Sequence, residues 1–206
     1  MKIIERFTLW IILGSVAPIT GLLAGWWLFM GIFADVKILI PALTGLLCGV
    51  LLDVFLLKQA VQAAYQVSWL PWAVVYLFYA ICIFGFFMGV PLINVALGVP
   101  FGILVAGKLF NRHAESTEVN RTTLAATRFS TMMMLFICLA SATIALLDPY
   151  TAANLEGMLM LPFTVTPAMI WGLIIIGGSM LLITQWWVTK LTILFSWHLL
   201  AKDNAA

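Results

Sequence analysis

The side chains able to do chemistry are few, and most of them lie inside apolar segments. Asp53 is the one acidic residue set well within such a segment, five residues before Lys58. At helical rise that spacing puts its backbone about 7 to 8 Å from the lysine, in the half of the segment nearer to it. A bare carboxylate in hydrocarbon costs about 3 kcal/mol on insertion scales, so Asp53 must face other helices and find a partner, or carry a proton. Two readings stay open: a site for a proton, a cation or a substrate amine, or an acid paired with Lys58 or Arg128 that orients its helix.

Tyr76, Tyr79 and Asn94, with Thr20, Ser141 and Thr143, supply the other polar groups within apolar segments, and Glu156 sits in an acidic outer loop beside Asp148. Taken singly, such groups join neighbouring helices by hydrogen bonds of modest energy. If Tyr76, Asn94 and Glu156 converge, they form a pocket open to the outside that suits a neutral or cationic small solute. These residues and Asp53 are the candidate substrate-binding set.

The residues demanded by membrane enzymes are missing. There is neither an HExxH zinc motif nor a GxSG nucleophile, and His113 and His198 fall at the edges of the apolar segments. No cytoplasmic loop carries paired Asp residues that could hold Mg²⁺ against a phosphate. Cys48, Cys82 and Cys138 are odd in number and lack a CxxC pair, which suggests neither disulfides nor zinc. The expectation is a protein that is not an enzyme and has no cofactor and no metal.

Glycines recur at a spacing of four: Gly21 and Gly25, Gly45 and Gly49, Gly85 and Gly89, Gly98 and Gly102. Each pair would cut a groove that lets another backbone approach, which matters where lipid gives helices no hydrophobic reason to associate. Packing within one bundle is the favoured use. A seam for a second copy or for a partner subunit is the other.

The elements that position these residues follow from composition. Of 206 residues, 64% are hydrophobic and only 9% are charged, against about a quarter charged in soluble domains. Six apolar spans can be drawn, at about 8–33, 38–57, 69–88, 91–108, 129–147 and 167–187, each near the roughly 20 residues a bilayer requires. Residues 109–128 form a cytoplasmic loop, partly helical, and 188–206 a tail that extends span six or lies on the inner leaflet. Pro18 predicts a kink in span one. The fold class is an all-α polytopic integral membrane protein, a compact six-helix bundle in one domain. No inverted repeat joins its halves.

Orientation follows from the basic residues. With the N-terminus cytoplasmic, Lys2, Arg6, Lys58, Lys108, Arg112, Arg121, Arg128, Lys190 and Lys202 all fall inside, leaving Lys37 as the exception among the 10 Lys and Arg. Both termini are then cytoplasmic, in a plasma or bacterial inner membrane. Basic groups spread along membrane edges do not make a nucleic-acid face. A signal peptide cut after Ser15-Val16-Ala17 is not expected, because the apolar run continues to Phe33 and Pro18 follows the cut.

In size and span number the chain resembles the substrate-binding membrane subunits of energy-coupling-factor vitamin transporters, with Ala17 and Gly21 as a small-residue pair in span one. The resemblance is one of outline and assigns no site residue. The expected activity is a small-solute binding or transport module, alone or with a membrane partner subunit. The alternative is a non-catalytic assembly or scaffold protein that binds other membrane helices through its glycine grooves.

Overall fold

The computed structural model describes residues 2–30, 35–87 and 89–205. Phe33, Met88 and Ala206, which close spans one and three and the tail in the sequence reading, lie outside these residues. Among the described residues every regular element is helical. In order they are α1 (Lys2–Phe29), a 3₁₀ turn (Asp35–Ile38), α2 (Leu39–Ala63), α3 (Trp69–Phe86), a 3₁₀ stretch (Pro91–Leu97), α4 (Gly98–Asn111), α5 (Ser116–Leu147), α6 (Thr151–Leu159), α7 (Pro167–Gly172), a π-helical stretch (Leu173–Gly177) and α8 (Gly178–Ala205).

Six of these helical segments are long and apolar enough to cross a bilayer: Arg6–Phe29, Leu39–Ala63, Trp69–Phe86, Pro91–Asn111, Ser116–Leu147 and Pro167–Lys202. Their outward faces carry large apolar side chains, among them Phe55, Leu70, Phe86, Leu147, Ile176 and Phe195. Phe86 leaves 83% of its surface uncovered. Water would penalise such a surface heavily, and hydrocarbon does not. The protein is therefore an all-α, multi-pass membrane protein.

The chain divides into two compact units, Met1–Pro71 with Asp203–Ala206, and Trp72–Lys202. The first unit is built on the α1–α2 pair. Proline lacks the N–H that would bond the carbonyl four residues back, yet α1 runs as one helix through Pro18. Its face toward α2 is nearly bare of side chains. A methyl at Gly21 would land on the carbonyl of Gly45, one at Gly45 on the carbonyl of Gly21, and one at Gly25 on the carbonyl of Pro41. Two helices meet here backbone to backbone, the arrangement small residues permit in lipid.

The second unit packs α3, α4, α5 and α8 around Tyr76, Phe101, Val105, Leu109, Val119, Ile137 and Ile193. The rings of Tyr76, Phe101 and Phe129 form its aromatic centre, with centroids 5.0 to 5.7 Å apart. Helix α5 begins at Ser116, well before the apolar span at Phe129, so most of the segment read as a loop is helix. The cause is burial of Val119, Thr123, Ala126 and Thr127 at helical spacing, on a face that hydropathy scores as polar. The tail likewise continues α8, burying Ile193, Ser196 and Leu200.

Candidate functional site

The second unit holds a file of polar side chains with almost no exposed surface. Gln185, Thr189, Ser130 and Thr127 are wholly buried, and Asn94, Thr123 and Ser196 nearly so. Two helices supply most of it. On α8, Gln185, Thr189 and Ser196 recur at spacings that share one face, and on α5 so do Thr123, Thr127 and Ser130.

Hydrogen bonds link part of the file. Gln185 Nε2 donates to the Tyr76 hydroxyl at 3.2 Å and to Thr189 Oγ1 at 3.2 Å. The Thr189 and Ser130 hydroxyls are 3.0 Å apart, and Ser130 Oγ donates to the Thr127 carbonyl at 3.0 Å. Separately, Asn94 Nδ2 donates to the Ala80 carbonyl of α3 at 2.8 Å.

The file is not saturated. Gln185 Oε1, Asn94 Oδ1 and the hydroxyl oxygens of Thr123, Thr127 and Thr131 are buried with no hydrogen-bond partner among the described residues. In an apolar interior each such atom costs about 1 to 3 kcal/mol unless a donor reaches it. Gly98 and Gly102 bring α4 against the file. A methyl at Gly98 would sit 2.8 Å from Thr189 Oγ1 and 3.1 Å from Gln185 Nε2, and one at Gly102 would sit 2.8 Å from the Thr192 Cβ.

The residues singled out from sequence fall in different places. Tyr76 joins the file through Gln185, while Asn94 is buried with its Nδ2 on the Ala80 carbonyl. Tyr79 is half-buried, with its ring 5.4 Å from that of Phe78. Glu156 Oε1 accepts the Val165 N–H at 2.6 Å and ties α6 to the following loop. Asp53 belongs to the helix pair, in one row with Gly45 and Gly49, and its Oδ2 is buried with no partner among the described residues. Among the described residues Gly85 and Gly89 abut no backbone of another helix. Among the described residues nothing lies within 4 Å of where a Cβ would stand on Gly85, while Gly89 follows the end of α3 at φ +82°, a left-handed conformation suited to glycine.

Sequence reasoning missed Gln185, Thr189, Ser130, Thr127 and Thr123. The signal was present as polar residues recurring at helical spacing in two consecutive spans.

Six apolar helices and a buried polar file define a polytopic α-helical membrane protein. Compared with known families, characterised proteins and solved structures, the chain matches none of them.

Proposed function

We propose that the protein is a non-catalytic module that binds and passes a small neutral solute rich in hydrogen-bond donors, such as water, a polyol or a simple amide, along the polar file of its second unit. The supporting observation is the pairing of fully buried, unsatisfied acceptors with a string of hydroxyls inside helices that cross lipid. Amide carbonyls and hydroxyls can take donors from a passing solute. A file without a carboxylate offers a cation no countercharge.

The basic residues support an orientation with both termini cytoplasmic, in a plasma or inner membrane, with lipid as the main partner. Scaffolding through the glycine grooves of the first unit has less support, because Gly21, Gly25, Gly45 and Gly49 abut backbone of the facing helix within the α1–α2 pair.

Reconstituted vesicles test the reading. Light scattering after an osmotic step with sucrose, glycerol or urea measures water and solute permeability, and wild type should exceed protein-free vesicles. Gln185→Leu and Thr127→Val, each eluting as a single species, should return permeability to the lipid baseline. Permeability equal to wild type in both variants would refute the proposal.

A further inference from the structure

We propose that Asp53 and the backbone carbonyl of Gly14 form a proton-binding site within the α1–α2 pair, in which the un-ionised Asp53 carboxyl donates a hydrogen bond to that carbonyl. The site lies in the first unit and does not depend on the solute reading above.

The argument begins at Pro18. It has no N–H, so the carbonyl of Gly14, four residues back in α1, has lost its helical donor. In lipid such a freed carbonyl must be satisfied by a nearby side chain, a neighbouring helix or water. The hydroxyls close to it in α1 serve other carbonyls: Ser15 Oγ donates to Ile11 at 2.5 Å, and Thr20 Oγ1 to Val16 at 2.7 Å. The donor has to come from α2.

Contacts on either side fix what α2 presents there. One turn toward the start of α2 from Asp53, Gly49 lies against Ala17 and Pro18, so closely that a methyl on it would be 2.6 Å from the Pro18 Cα. One turn in the other direction, Leu57 covers Gly14, its Cδ2 lying 2.9 Å from where a methyl on Gly14 would stand. Gly49, Asp53 and Leu57 are spaced by four and share one face of α2. Asp53 is thus held between the levels of Pro18 and Gly14, the stretch of α1 that contains the freed carbonyl.

Two acceptors would face each other there. An ionised carboxylate offers only lone pairs, as does the carbonyl, and Asp53 Oδ2 is buried with no partner among the described residues. A single proton on the carboxyl satisfies both groups at once. The nearest cations in the pair are Lys58, about 7 to 8 Å along α2, and Arg6, about 12 Å along α1 from Gly14. Both are exposed. The proton comes from bulk water and forms an O–H bond on the carboxylate, which then donates the hydrogen bond; no other covalent bond forms or breaks.

Dicyclohexylcarbodiimide, which attacks un-ionised carboxyls in apolar surroundings, provides the test. Full-length protein in vesicles at pH 7 should be modified within 39–63 as mapped by mass spectrometry, and Asp53→Asn should not be. The asparagine can still donate to the Gly14 carbonyl, so this variant should retain its fold. Pro18→Ala supplies the missing N–H and removes the need for the carboxyl proton. In the alkaline range, where modification follows the protonated fraction, its labelling should fall about fivefold, the equivalent of one ordinary hydrogen bond. An unmodified wild type at pH 7 would overturn the proton. A Pro18→Ala protein labelled like wild type would overturn the Gly14 carbonyl as its acceptor, and the proposal with it.

Discussion

Substituting alanine at Gly45 and at Gly85 should move stability in opposite directions, although both glycines belong to pairs with the same spacing. At Gly45 the new methyl would lie on the Gly21 carbonyl, with the carbonyl carbon 2.8 Å away and ordinary contact beginning at 3.4 Å. The helices must part by about 0.6 Å or more along that line. A gap of 0.5 to 1 Å forfeits about a quarter to a half of each dispersion contact it opens, and overpacking of this kind costs about 1 to 3 kcal/mol. Against this stands the gain of about 0.8 to 1 kcal/mol from replacing glycine by alanine inside a helix. The balance at Gly45 is a loss of up to about 2 kcal/mol. Among the described residues Gly85 has nothing within 4 Å, so only the helix term remains and, one residue from the end of α3, the protein should gain up to about 0.5 to 1 kcal/mol. Unfolding in mixed micelles of mild detergent and dodecyl sulfate, followed by tryptophan fluorescence, gives both values against wild type. Stabilisation by Gly45→Ala, or equal damage at the two sites, would refute the backbone-to-backbone packing of α1 on α2.

Two further substitutions examine the second unit. Tyr76→Phe keeps the ring contacts with Phe101 and Phe129 but removes the acceptor of Gln185 Nε2, leaving that nitrogen only Thr189; the same titration should show a loss of about 1 kcal/mol. Asn94→Asp exchanges the donor to the Ala80 carbonyl for an acceptor and brings an ionisable group into the span, at a cost of about 3 kcal/mol. The yield of folded, monodisperse protein from membranes should drop sharply, while Asn94→Gln, which keeps a donor, should fall less.

Hydropathy makes the six crossings legible because lipid selects on average composition, which any window of sequence records. It does not record what stands opposite a given residue. Gly45 and Gly85 look alike in sequence, yet one abuts a carbonyl and the other meets nothing within 4 Å among the described residues. The difference lies in the facing helix, which neither glycine's own neighbourhood describes. The same gap hid the polar file. Thr123 and Thr127 lower the hydropathy of residues 116–128, so the segment resembles a loop, while their helical spacing buries them together on one face of α5. Asp53 shows the opposite case. Its row with Gly45 and Gly49 can be counted from spacing alone, and so can the carbonyl that Pro18 frees at Gly14. Only the contacts of Gly49 with Pro18 and of Leu57 with Gly14 bring the two features to one level, and from that level the need for a proton between them follows.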